Sequence, residues 1–439
     1  RIELDVSRSD PRVVYALVQS RAEDEEPTTE LYRSTDRGDT WKRRNEEDLQ
    51  GFLWALGDVR VAPHDSDEVW LLGVRLLHST DGGRTTRWIG GEIVHLQPSR
   101  AETLHLDHCD LWIDPADPAR LALGNDGGVY LSWDRGATWL HRNSLPIGEV
   151  YDLTVEGGQR EHVFLGTQDT AASHGPIRPL RRGLDSGWEY VWLDPWSGGD
   201  GFVTWPDPAD PDTVYWESQH GHLVRKDLRT GATRRIRPRP DTGDEELRCN
   251  WYTPYLLSPH DSRTLYFGAQ RVWRSTDRGD SWEARGPDLT RVADEARNSH
   301  ALSALAESPL RAGLIWAGTE KGIVQRSEDG GATWTDVSDG LPVRHVKRVL
   351  PSRHDEARVY VTQTGIDQDD FTPRVHVSED GGATWRDLSA GLPPGCANVL
   401  REDPSDERLL YLGTTQGVYV SRDRGEPWAS LCEGCLLYT

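Results

Sequence analysis

Ser327-Glu328-Asp329-Gly330-Gly331-Ala332-Thr333-Trp334 is the stretch on which the reading of this chain turns. Its composition is that of a tight turn. A short carboxylate accepts from backbone N–H groups a few residues on, glycine takes a positive φ, and the hydroxyls close the bend. The same octad stands at 34–41, 132–139, 275–282 and 378–385. Two worn copies complete the set: 79–86 has Thr86 where tryptophan is expected, and 421–428 has Pro427 before Trp428. The repeated aspartates are Asp36, Asp81, Asp134, Asp277, Asp329, Asp380 and Asp423. One carboxylate per turn offers too few oxygens for calcium, so they read as structural residues, with the tryptophan plugging the gap to a neighbouring unit.

The octad serines stand 45, 53, 143, 52, 51 and 43 residues apart. The long interval is about three periods, so two units without an octad lie between residues 140 and 260. Each unit repeats one plan: an apolar run ending at a Pro-containing turn, a second run ending at glycine, a short third run, the octad, then a Trp-led run. The unit ALSALAESP, LIWAGT, GIVQRS, TWTDVS shows it. Runs of four to seven residues rich in Val, Leu, Tyr and Trp between Gly/Pro/Asp turns are strands. Four strands every ~40–50 residues is the period of a β-propeller blade. The fold expected is therefore all-β, a β-propeller of about nine four-stranded blades. A closed ring usually has ~4–8 blades. Nine units then suggest either residues 1–92 as two blades of an upstream propeller with 93–439 as a ring of about seven, or one large ring lacking a blade.

Composition agrees with a packed β protein. The 439 residues carry 50 Lys+Arg against 72 Asp+Glu, a net charge of −22, with the basic residues scattered singly. That excludes a phosphate-neutralising groove for nucleic acid. Nothing approaches an apolar run of membrane-spanning length, and the first twenty residues lack the layout of a signal peptide. Methionine is absent and tryptophan numbers 19 against 5 phenylalanines; the first suggests a fragment of a longer array, the second a repeated motif. The five cysteines form no disulfide framework, and Cys432-Glu-Gly-Cys435 lacks the second pair that a zinc ribbon requires.

The octad S-x-D-x-G-x-T-W resembles the Asp-box, or BNR repeat, of sialidases, tandem-propeller xyloglucan-cleaving glycoside hydrolases, photosystem II assembly-factor propellers and sortilin ectodomains. The longer phrases HLDHCDLWIDPADP (105–118), LGNDGGVYLSWDRGATW (123–139) and GAQRVWRSTDRGDSW (268–282) resemble bacterial sortilin-like or "glycosyl hydrolase" BNR-repeat proteins. The resemblance implies boxes between the third and fourth strands, with the loops after the second strands sharing the opposite, ligand-binding face. It also implies an extracytoplasmic setting.

On that face the candidate ligand residues are Asn125, Gln168, Asp200, Gln219, His220, Gln270, Arg271, Glu320 and Asp367, together with Trp196 as an aromatic platform in a Pro-Trp-Ser-Gly-Gly loop. Glycoside cleavage needs two carboxylates, and Asp126 and Asp169 are the candidates. No arginine cluster with a Tyr/Glu pair is present to make a sialidase, and Arg235-Ile-Arg-Pro238 falls in a fourth-strand context. His105, Asp107 and His108 lie within four residues and could take zinc or another divalent metal; otherwise no cofactor is expected. Functionally, the sequence points to a module binding a protein, peptide or carbohydrate on the face opposite the boxes, with a paired-carboxylate glycoside hydrolase as the alternative.

Overall fold

The computed structural model describes residues 2–20, 28–45, 49, 57–89, 104–142, 148–156, 161–177, 188–191, 199–240, 245–291 and 293–431. Trp196 and the Cys432/Cys435 pair lie outside them. Among the described residues the strands assemble in chain order into nine four-stranded units. Sheets 1 to 3 start at strands Ile2–Val6, Asp58–Val61 and His108–Ile113. Sheets 4 to 6 start at Val150–Val155, Gly199–Asp207 and Tyr255–Leu257. Sheets 7 to 9 start at Leu302–Glu307, His345–Pro351 and Ala397–Glu402. Each sheet is an antiparallel meander, which tight turns permit without crossovers. Sheets 4 and 5 are also joined by a short parallel pairing, Thr170 to Gly199 and Ala171 to Asp200. The blade number and strand order are those that the repeat requires. No helix among the described residues is long and apolar enough to cross a membrane.

By compactness the chain divides into two units. The first comprises Arg1–Val150, Thr167–Ala171 and Asp194–Asp200; the second comprises Tyr151–Gly166, Ala172–Leu193 and Gly201–Thr439.

Within each unit the octads act as turn locks. In the one at 327–334, the Ser327 hydroxyl donates to Asp329 at 2.9 Å and accepts from Gly331 N, while the other Asp329 oxygen receives the Thr333 hydroxyl at 2.7 Å. The Thr hydroxyl is the main cause that holds the Asp36, Asp329 and Asp380 carboxyls down at about 2. Gly382 shows why glycine is demanded: its φ is +92°, and a Cβ there would lie 2.9 Å from the Cβ of Val337. Trp139 and Trp334 donate their indole N–H to a glycine of their own octad, whereas three other box tryptophans bond across to the preceding blade. Trp282, Trp385 and Trp428 donate their indole N–H to Ile236, Val337 and Leu388, each just past the last strand of the preceding sheet. Between the octads, sheets 5 and 6 bury Tyr215, Tyr255 and Phe267 with Trp205 packed against them.

Two further repeats link neighbouring blades. A histidine in the turn after the first strand bonds the equivalent carbonyl of the next sheet: His64 to Asp114, His260 to Ser308 and His354 to Asp403. The first strands also carry a one-residue bulge at one recurrent place, leaving Cys109, Ser303, Lys347 and Asn398 without a ladder partner in sheets 3, 7, 8 and 9. Bulges re-aim side chains at sheet rims, and here each falls at the end of its own sheet that carries the loop after the second strand.

Candidate functional site

In the first unit, Asp107 precedes the opening strand of sheet 3, and Asp126 follows its second strand, Leu121–Asn125. Asp169 sits in the loop between strands His162–Thr167 and Thr170–Pro176 of sheet 4. Carboxylate oxygens of all three lie within 4.8 Å of one another. Asp107 and Asp169 both occupy the left-handed region, at φ +62° and +53°, a conformation that surrounding contacts must hold in place.

Those contacts are specific. The His105 ring places Nδ1 3.0 Å from its neighbour Leu106 O and Nε2 3.0 Å from Asp169 O. Asn125, itself buried, donates to His105 O at 3.0 Å and accepts from Gly127 N at 3.0 Å, so it ties the two loops of sheet 3 together. Asp200 accepts the Asp169 N–H at 3.0 Å, and Gln168 N donates to Glu149 O at 2.9 Å. Asp169 is therefore fixed by His105 from one side and Asp200 from the other.

Crowding three carboxyls in a half-buried place favours keeping a proton. Burial, then a hydrogen bond and the charge of Asp169, push Asp126 up to about 7. Burial, then the charge of Asp169, also raise Asp107. Cys109, whose thiol lies 3.8 Å from Asp126, is pushed up to about 11 by burial and by that carboxylate. Like charges so close disfavour ionisation, and the effect falls on Asp126 and Asp107.

The grouping of possible metal ligands differs from that read in the sequence. Both His105 ring nitrogens lie 3.0 Å from carbonyl oxygens, and His108 is buried, with Nδ1 3.5 Å from the Asn125 amide, where burial holds its pKa down at about 3. Of the segment 105–108, Asp107 alone joins a cluster that could hold a cation, with Asp126 and Asp169.

The remaining candidates belong to the second unit. His220, at φ +58°, donates its N–H to Trp251 O and meets the Trp251 ring edge-on at 5.1 Å, with Gln219 beside it; Trp251 is 52% exposed. Gln270 is buried and bonded to Arg248 N and Glu246 O, so it braces a loop and is not free to meet a ligand; Arg271 beside it is half-buried. Glu320 is raised by burial, and Asp367, in the turn Ile366–Gln368, adds to that rise. A cluster without any sequence motif joins two first strands and the lead-in to a third: the Tyr252 hydroxyl donates to Asp152 at 2.6 Å, and Arg348 pairs with both. These residues are 96 to 196 positions apart, and nothing in their local sequence marks them.

Four-stranded blades, octad locks and a carboxylate cluster on the loops away from the octads make an Asp-box β-propeller that resembles sortilin-like and glycosyl hydrolase BNR-repeat proteins. The family model described as "Sortilin, neurotensin receptor 3" matches residues 322–436. A xyloglucanase of Paenibacillus sp is 28% identical over 298 residues, covering 56% of this chain and 28% of that protein. A xyloglucanase of Hypocrea jecorina is 23% identical over 449 residues, covering 90% of this chain and 49% of that one. The chain thus spans half or less of the length of these curated relatives. Among solved structures, a GH74 enzyme of Niastella koreensis aligns over 98% of this chain and 77% of that one, at 11% identity and a TM-score of 0.34.

Proposed function

We propose that this propeller is a glycoside hydrolase acting on a xyloglucan-type polysaccharide, with Asp126 as the proton donor. The observation that carries the reading is a carboxyl pushed up to about 7 by burial and by Asp169. Such a group is protonated where an ordinary aspartate is not, and a glycosidic oxygen needs that proton as its bond breaks. Asp169, held by His105 and Asp200, keeps the proton on Asp126 until the leaving oxygen takes it, because its charge disfavours the Asp126 carboxylate. The substrate class is taken from the relatives, which are named xyloglucanases. Glycoside cleavage also uses a second carboxylate across the sugar, and of the two Asp126 takes the part of the acid. Work on such a polymer would place the protein outside the cytoplasm.

The test is release of reducing ends from xyloglucan and other β-glucans. Asp126→Asn should lower turnover by about 10²–10⁴-fold, the usual share of a general acid, with KM little changed. Silence of the wild-type chain on all of them, or full turnover by Asp126→Asn, sinks the reading. A second reading, glycan binding without cleavage, is favoured by the exposed Trp251 ring held edge-on by His220. Retention on immobilised xyloglucan without turnover, lost in Trp251→Ala, would select it.

A further inference from the structure

The second and third strands of sheet 8, Val359–Gly365 and Asp370–Ser378, run to seven and nine residues, against five and four in sheet 7 and five and five in sheet 9. The three hairpins share one starting point, because Val359, Ile315 and Leu410 each stand opposite the octad serine of their own sheet. The added length therefore lies at the loop end, where the extra residues of the second strand carry the turn about 7 Å further out. Pairing also breaks there: between the pairing of Gln363 with Arg374 and that of Gly365 with Asp370, the single residue Thr364 faces Phe371, Thr372 and Pro373. Such a bulge turns side chains out of the ladder. Phe371 is 48% exposed, Ile366 in the turn is 45% exposed, and so is Val343 in the lead-in to the first strand.

These apolar groups stand on a fixed base. Asp370 accepts from Arg344 Nε at 3.0 Å, from Arg374 Nη2 at 2.6 Å and from Thr372 N at 3.1 Å. The buried Gln363 amide donates to Pro342 O and Arg344 O at 2.9 and 3.1 Å, which holds the segment around Val343 to the hairpin. Phe371 O accepts the Gly395 N–H, from the lead-in to sheet 9, at 2.6 Å. Both arginines at the base are thus paired with Asp370, while the turn carries Asp367 and Asp369, exposed and in no ion pair among the described residues. The charge of Asp367 also acts on His345 and Lys347 of the first strand, both half-buried. The outward end of the hairpin is therefore apolar and acidic.

We propose that this overhanging hairpin is a docking site for a basic segment of a partner protein, with Phe371, Ile366 and Val343 as its apolar anchors and Asp367 and Asp369 as its charged rim. Apolar side chains on a base already held in place lose little freedom on association, and an aromatic ring such as Phe371 is the usual anchor. Carboxylates beside the anchors attract lysine and arginine and repel acidic surfaces, which sets the sign of the partner. A neutral glycan would leave both carboxylate charges unmatched. The site lies wholly in the second unit and does not depend on cleavage in the first.

The test is selection of a phage-displayed random peptide library on the immobilised full chain, followed by fluorescence-anisotropy titration of the enriched peptides. These should carry lysine or arginine beside aliphatic or aromatic residues. Their affinity should fall about tenfold or more in Phe371→Ser and in Ile366→Ser and stay within about twofold in Phe371→Tyr. The double variant Asp367→Asn, Asp369→Asn should lose most of the salt dependence of binding. All four side chains are exposed, so thermal midpoints near that of wild type check that the variants fold; should a serine variant melt early, the Asn pair still decides. Peptide binding by Asp126→Asn equal to that of wild type separates this result from the outcome for cleavage. No enrichment, an acidic consensus, equal binding by wild type and the hairpin variants, or displacement of the peptides by a xyloglucan heptasaccharide overturns the proposal.

Discussion

His354 Nε2 lies 2.8 Å from the carbonyl oxygen of Asp403, joining the turn after the first strand of sheet 8 to its counterpart in sheet 9. The bond recurs from His64 to Asp114 and from His260 to Ser308, so it is a device of the fold and not an accident of one loop. His354→Ala leaves that carbonyl without its partner and should cost roughly 1–2 kcal/mol. Urea unfolding checks this, and a midpoint equal to that of wild type would remove the latch from the account.

The octads should differ in worth according to their hydrogen bonds. Asp329 receives the Ser327 hydroxyl, the Thr333 N–H and the Thr333 hydroxyl. In the last octad Pro427 replaces the threonine, bringing neither N–H nor hydroxyl, and no bond to the Asp423 carboxylate is found among the described residues. Asp329→Ala should therefore lower the unfolding midpoint measurably and Asp423→Ala hardly at all; equal losses would contradict the turn-lock role.

Stability should also depend on pH through Asp126. Its folded pKa is raised from 3.8 to about 7, so between those values the folded chain holds more protons than the unfolded one. Stability then falls as pH rises through that window and levels off above it. Asp126→Asn keeps the shape and removes the titration. Thermal midpoints from pH 4 to pH 8 should slope downward more steeply in wild type than in the variant, and parallel slopes would mean that Asp126 titrates normally.

How far the sequence could be read depends on range. The nine blades are legible because the turn chemistry of the octads and the four short runs around them are local. Asp126 and Asp169 could be named from their loop positions, but their approach to Asp107 arises only when the loops of sheets 3 and 4 are set by His105 and Asn125. Gln270 has the sequence setting of a rim residue, yet it folds inward onto Arg248 N and Glu246 O. Asp152, Tyr252 and Arg348 were invisible, since each sits in an ordinary strand or its lead-in and acquires meaning only from partners about 100 or more positions away.

Cys109 is exposed, which alone would suggest a reactive thiol. Burial of its sulfur side and the neighbouring Asp126 push its pKa up to about 11, and the thiolate is the nucleophile. Alkylation by iodoacetamide at pH 8 should be slower than for a free cysteine peptide and faster in Asp126→Asn. Mass mapping of the labelled peptide reads both, and rapid wild-type labelling would rule out the carboxylate as a control on this thiol.

Gly127 offers the sharpest test of how the carboxylate trio is held. A Cβ built there would lie 2.5 Å from Cβ, 2.7 Å from Cγ and 2.9 Å from Cδ2 of His105. No rotation of a methyl group can relieve such contacts, so Gly127→Ala must displace the His105 ring, whose Nε2 reaches Asp169 O. Overpacking of this kind costs roughly 1–3 kcal/mol. The more telling consequence is electrostatic: with the Asp169 loop released, its carboxylate no longer crowds Asp126, and the Asp126 pKa should drop toward the ordinary aspartate value. In Gly127→Ala the pH dependence of stability should therefore flatten toward that of Asp126→Asn, whereas His105→Ala in the same background should add little further change. A variant that loses stability yet keeps the full wild-type slope would show that His105 merely fills space and does not position the acid.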